Sequence, residues 1–332
     1  MESSMMMSVR MMMMFVCVSS IVWFHGYGST INNIVHVSKE GNGDYTSVSE
    51  AIAQAPSMAT QQYIIHVGSG SYEEYVHIPS DKTNIVLIGK GPDQTKIVGY
   101  DKGTTLDIDG NDFMAKDIGI VNLGGPSGGG GMATAVRNAA NNSIFFQCSI
   151  QGFQDTLWAA SGRQFYKNTV ISGTVDFIFG GASALFQGCT LQARLRPYVT
   201  FTAQARESPA FSAFSFGHCK FTMAPEDAPR ISQVNATLGR PWRAYSTVAI
   251  IFSYIDSMVG PRGWEEMPGV PTDKVTFVEF QNVGPGSDTQ YRVKWPGVRR
   301  LRGLDEAHSF TASGLLDAAS WIPSKGVPYD EL

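Results

Sequence analysis

Short apolar runs broken by Gly, Asn, Ser and Asp recur along the chain, among them Ile34-Val35-His36-Val37, Tyr63-Ile64-Ile65-His66-Val67, Ile85-Val86-Leu87-Ile88 and Val248-Ala249-Ile250-Ile251-Phe252. Runs of this length, bounded by turn-forming residues, predict strands, and almost nothing in the middle of the chain has helical spacing. One helix is expected near the start. Thr46 or Ser47 can cap it, Pro56 must end it, and it would cover the open end of a strand stack. In the centre the pattern repeats: Phe145-Phe146-Gln147, Phe165-Tyr166-Lys167 and Leu185-Phe186-Gln187 return every twenty residues. Such a period predicts a solenoid, in which each repeat buries its apolar face only against its neighbours. With no Leu-x-x-Leu-x-Leu-x-x-Asn frame to support a leucine-rich horseshoe, the fold expected is an all-β parallel β-helix. The residues from Pro261 to Leu332 should pack back along it.

The repeat gives meaning to two acids. Asp155 and Asp176 are 21 positions apart, about one period, so they should stand on successive rungs, roughly 4.8 Å from each other along the stack. Two carboxylates that close cannot both ionise cheaply, and the pair can present one acid and one carboxylate at the same pH. Most Asp residues in such folds only fix turns. Here the flanking Trp158, Phe177 and Phe179 resemble the wall of a partly dry groove.

Composition narrows the class. With 332 residues, 43% hydrophobic and 16% charged, the chain is globular, and its net charge of -4 excludes a strongly basic nucleic-acid binder. Residues 1 to 28 read as a secretory signal, a positive start followed by an apolar block too short to span a bilayer. Residues 29 to 332 read as one domain. Secretion makes Asn141 and Asn235 candidate glycosylation sites, since each opens an Asn-x-Ser/Thr sequon. Outside the signal there are three Cys residues; a disulfide between Cys189 and Cys219 is expected, with Cys148 a small buried residue. The six His residues show no ligand spacing, so neither a metal nor another cofactor is expected. The run from Gly124 to Gly131 lacks the Lys-Ser/Thr of a phosphate cradle and reads as a loop.

Several blocks, in order, resemble the plant-type pectin methylesterases: Gly70-Ser71-Tyr72-Glu73-Glu74, Gln154-Asp155-Thr156-Leu157, Asp176-Phe177-Ile178-Phe179-Gly180, Leu238-Gly239-Arg240-Pro241-Trp242, Gly263-Trp264 and Arg292-Val293-Lys294-Trp295-Pro296-Gly297. The resemblance implies a right-handed parallel β-helix and hydrolysis of the methyl esters of homogalacturonan. It implies Asp176 as nucleophile, Asp155 as general acid and base, Gln154 as oxyanion donor and Arg240 as the cation orienting Asp176. Trp158, Phe179, Trp242 and Trp264 match aromatic positions of the sugar groove. A second catalytic Gln, in a Gln-Ala-Val-Ala-Leu block of that family, has no counterpart. The corresponding run is Thr134-Ala135-Val136-Arg137-Asn138, and no Gln occurs between Thr95 and Phe146. That departure, with Thr134 in place of the Gln, keeps open a pectin-binding homologue that is catalytically weak or inactive.

The expected partner is methyl-esterified pectin, together with a separate pectinesterase inhibitor protein able to cover the groove. No nucleic acid and, after signal removal, no membrane is expected to bind. The chain should be a secreted, cell-wall monomer without the inhibitor-like pro-domain of many relatives.

Overall fold

The computed structural model describes residues 33–101, 103–125 and 132–332, so the expected signal and most of the glycine-rich run lie outside the described residues. The chain winds through three parallel sheets of eleven, eight and seven strands. One coil shows the scheme. Arg163–Lys167 belongs to the eleven-stranded sheet, Val170–Gly173 to the eight-stranded and Ile178–Gly180 to the seven-stranded, before Ser183–Gln187 returns to the first. This is the expected parallel β-helix.

Bends between the first two sheets use a single residue in the left-handed region: Asp117, Gln147, Asn168, Gly188, His218, Phe252 and Gln281. Polar residues and Gly tolerate that conformation best, which is why Asn, Asp and Gly punctuate the apolar runs. Inside the coil, rings stack along the axis. Phe145, Tyr166, Phe186 and Phe216 lie with centroids 5.2, 4.6 and 4.5 Å apart in turn. The register pairs Phe145 with Tyr166, an offset of 21 rather than the 20 suggested by the triplets. Phe165 consequently faces outwards, with Ile144 and Leu185, into a second apolar cluster shared with Phe310, Leu315, Leu316 and Trp321 of the C-terminal tail. Because that sheet is buried on both faces, its strands read as continuous apolar runs instead of alternating ones. The tail is tied down by Lys167 to Asp330 at 2.9 Å and by Ser215 Oγ donating to the Phe310 carbonyl at 2.7 Å.

The N-terminal helix spans Val48–Gln54. Ser47 caps it by accepting from the Glu50 amide, and it buries Val48, Ala51 and Ile52 in the main core. Among the described residues no helix is long and apolar enough to cross a membrane.

The expected disulfide is absent: Cys189 and Cys219 are both free and buried, as is Cys148. The reason lies in the ladder they occupy. Thr169 Oγ1, Cys189 Sγ, Cys219 Sγ and Ser253 Oγ each donate to a main-chain carbonyl one rung back, those of Phe145, Tyr166, Phe186 and Phe216. Hydroxyls and thiols alternate in one role, so the cysteines serve as small buried donors.

Candidate active site

Asp155 and Asp176 occupy equivalent turns between the eight- and seven-stranded sheets. Leu157 pairs with Ile178, and the Asp155 amide donates to the Val175 carbonyl at 3.1 Å, which places the two acids on adjacent rungs. Both have left-handed backbones, φ 58° and 50°, and both are buried. Non-glycine residues hold that conformation where the surrounding ladder imposes it, and it turns both side chains out of the strand alternation. The ladder continues through Gly180, where a Cβ would collide with the Ala159 carbonyl. This accounts for the glycine closing Asp176-Phe177-Ile178-Phe179-Gly180.

Arg240 follows the strand Asn235–Gly239, two strands further along the sheet. Its Nε donates to Asp176 Oδ1 at 2.8 Å and its Nη2 to Oδ2 at 2.6 Å, a planar fork on a planar carboxylate. The remaining Nη1 lies 3.4 Å from Glu265 Oε1. Burial raises the Asp155 carboxyl from the ordinary 3.8 to about 7; the charge of Asp176 adds to the rise and that of Arg240 opposes it. Burial raises Asp176 above its ordinary value as well, with the hydrogen bonds and charge of Arg240 opposing part of the rise. The bidentate guanidinium favours the ionised form of Asp176, while Asp155, which has no such hydrogen-bonded cation, is the better holder of a proton. Gln154 is half-buried beside Asp155.

One side of the pair is floored by Trp158 stacked on Phe179, ring centroids 5.5 Å apart. On the other side a cleft of about 590 Å³ is lined by Tyr198, Thr200, Asn235, Thr237, Arg262 and Glu265, and Arg240 joins its wall. A carboxylate held by a guanidinium, a second acid one rung away that keeps its proton and an aromatic pair beside them are the components of nucleophilic and general-acid catalysis.

The family profile Pectinesterase matches residues 34–319. Probable pectinesterase/pectinesterase inhibitor 39 of Arabidopsis thaliana is 37% identical over 90% of this chain and 58% of its own length. Pectinesterase 2 of Citrus sinensis is 37% identical over 90% of this chain and 60% of its own. The chain thus spans about three-fifths of each of these two relatives. The solved structure of pectin methylesterase from carrot superposes with a TM-score of 0.86 at 33% identity, covering 90% of this chain and 97% of that one. The chain belongs to the pectinesterase family.

Within this member of the family the expected site residues separate. Asp155, Asp176 and Arg240 converge, Gln154 is the half-buried chain neighbour of Asp155, and Trp158 and Phe179 stack on the same sheet. Trp242 is 38% exposed on the turn after Arg240. Trp264, expected on the groove face, does line that cleft but offers it almost no surface. It is 1% exposed, stacked on Phe277 at 4.3 Å, and its Nε1 donates to Glu279, which is itself paired with buried Arg292. Its ring therefore supports the cleft from behind.

Thr134 lies on the rung before Asp155 but is 5% exposed, whereas Met132 is 56% exposed. Val136 and Asn138 point inwards and Arg137 outwards, so the block Gln-Ala-Val-Ala-Leu fits Met132-Ala133-Thr134-Ala135-Val136, with both alanines matched. Met132, two residues earlier than expected, stands where the family has its second Gln. Of the sequons, Asn235 is exposed at the cleft, while the Asn141 side-chain Oδ1 accepts from the Arg163 amide at 3.1 Å.

Sequence reasoning missed Glu265, the second carboxylate on Arg240, and the outward residues that continue the floor, Arg137, Asp107 and His77. Their signal was present in the period-2 alternation of very short strands. It becomes visible only once the register aligns them.

Proposed function

We propose that this protein hydrolyses the methyl esters of homogalacturonan, releasing methanol and leaving free carboxylates on the polymer. The observation that carries the reading is the Arg240 fork on Asp176 one rung from an acid whose pKa lies near 7. Ionised Asp176 attacks the ester carbonyl carbon, and Gln154 donates to the oxyanion that develops. The tetrahedral intermediate collapses with cleavage of the bond to the methoxy group. Asp155 gives that oxygen its proton, methanol leaves, and an anhydride joins the sugar carboxyl to Asp176. Asp155, now ionised, takes a proton from water as the water attacks the sugar carbonyl. Asp176 departs as a carboxylate and both acids return to their starting states. No metal or cofactor takes part in this scheme.

The wider reading follows from it. The chain is a secreted cell-wall protein whose partners are methyl-esterified pectin and a separate inhibitor protein, and it acts as a monomer. Asn141 and Asn235 are its candidate glycan sites.

Methanol release from esterified pectin by the purified protein tests the reading. Release by the wild type and none by Asp176→Ala supports it, while equal release by both variants overturns it.

A further inference from the structure

The register of the seven-stranded sheet sets one outward side chain per rung in a straight column: His77, Asp107, Arg137, Trp158, Phe179 and Ala203. Arg240 follows next, its amide donating to the Thr202 carbonyl at 2.9 Å. Trp158 and Phe179 form the aromatic floor, and Arg137 stands one rung beyond Trp158. Its guanidinium carbon lies 5.4 Å from the centre of the Trp158 ring.

A free cation here would suit the carboxylates of a pectic polymer. Arg137 is not free, because its Nη1 donates to Asp107 at 2.5 Å and to Asp109 at 2.9 Å, so two carboxylates outweigh its single charge. His77 Nε2 lies 3.2 Å from the other oxygen of Asp109. What the clamp does achieve is immobility: it fixes the guanidinium against the indole as the end plate of a stack running Arg137, Trp158, Phe179. A half-exposed indole without such a plate can change rotamer, and a sugar-binding surface would lose its preformed shape.

We infer that Arg137 is a positioning residue, held by Asp107 and Asp109, that keeps the Trp158 ring flat as the binding platform for the sugar next to the reacting ester. The inference rests on the reading of this floor as a pectin groove.

Its test is a double-mutant cycle in which affinity for a methyl-esterified oligogalacturonide is measured by calorimetry, apart from turnover. Arg137→Gln is expected to weaken binding about 3- to 30-fold. In a Trp158→Ala background the same substitution should change it by less than about twofold. In methanol release the effect should fall on KM and leave kcat nearly unaltered. Arg137→Lys keeps the charge but loses the planar face, and should lie between wild type and Arg137→Gln; it replaces the Gln variant if that chain does not fold. Equal losses in both backgrounds, or a loss confined to kcat, overturn the inference. Wild-type affinity that ignores Arg137 overturns it alone, whereas absence of any wild-type affinity overturns the pectin-groove reading with it.

Discussion

Arg240 holds Asp176 by both carboxylate oxygens, at 2.8 and 2.6 Å, across a sequence separation of 64 residues. The contact exists because the turn after Asn235–Gly239 and the turn before Ile178–Gly180 lie on one sheet with a single strand between them. Asp176 is nearly inaccessible, and without the guanidinium its charge would be buried unpaired. Arg240→Gln is therefore expected to lower kcat/KM by about 10²- to 10³-fold near pH 6, in line with the ~3–5 kcal/mol lost on breaking a buried pair. The acid limb of the rate profile should move to higher pH, because Asp176 then needs a higher pH to ionise. A pH series of methanol release checks both, and an unmoved limb counts against the pairing.

Asp155 carries the opposite signature. Its pKa of about 7 means that the free enzyme keeps the leaving-group proton below that value. kcat/KM should fall about tenfold per pH unit above about 7, and Asp155→Asn should abolish that limb along with most of the rate.

The same shift acts on stability. Between 3.8 and about 7 the folded carboxyl holds a proton that the unfolded chain has released, so stability falls as pH rises through this window. Asp155→Asn should be more stable than wild type at pH 8, with a ceiling of about 4 kcal/mol from the rise of 3.8 to about 7, and the gain should vanish near pH 4. Denaturant melts at the two pH values decide it, and a gain that persists unchanged at pH 4 contradicts the assignment.

The coil and the acid pair were legible because both depend on period: 21 residues from Asp155 to Asp176 is one turn of the ladder, and the aromatic triplets repeat at nearly the same interval. Which face each aromatic takes was not legible. Phe165 and Tyr166 are neighbours of similar chemistry, and a one-residue difference in register decides which ring enters the coil. The burial of Trp264 was hidden for a related reason. A Gly-Trp pair near the cleft matches an exposed ring as well as a buried one until Glu279 and Arg292, 15 and 28 residues further on, are seen to close over its nitrogen. The cysteines misled because stacked donors and a cross-link share the same spacing.

The two tryptophans beside the site should respond differently. Trp264→Ala removes a fully buried ring packed on Phe277 and leaves the Glu279–Arg292 pair without one of its donors, so a loss of about 3–5 kcal/mol in unfolding free energy is expected. Trp242→Ala removes a side chain that is 38% exposed, and should raise KM with a much smaller change in stability. Chemical denaturation and steady-state kinetics on both variants separate the roles. A raised KM in a fully stable Trp264→Ala would make that ring a substrate contact and not a buried support of the cleft.

The thiol ladder predicts chemistry at Cys148, Cys189 and Cys219. Burial pushes the Cys148 thiol up to about 12 and Cys219 well above its ordinary 9, so neither forms thiolate at neutral pH. A thiol reagent should label residues 33–332 negligibly in the folded protein and three times after unfolding without reductant. Only one label after unfolding would show that Cys189 and Cys219 are joined after all. Cys189→Ser should be tolerated better than Cys189→Val, because Ser keeps the bond to the Tyr166 carbonyl that Val leaves unmade.

The exposed methionine before the Arg137 strand bears on rate. A Gln amide at an oxyanion site adds a donor aimed at charge that appears only in the transition state, and loss of one such donor costs about 10²- to 10³-fold in kcat. Met132 offers a thioether, which accepts but does not donate, and its exposure leaves room for an amide of similar length. Met132→Gln should therefore raise kcat for methanol release by at least about tenfold with little change in KM, since ground-state binding gains nothing from the new donor. Thr134→Gln asks a longer polar side chain to fit a site that is 5% exposed and should lower stability without raising kcat. If Thr134→Gln is instead the faster variant, the donor position lies two residues further along the chain and the placement of Met132 is wrong.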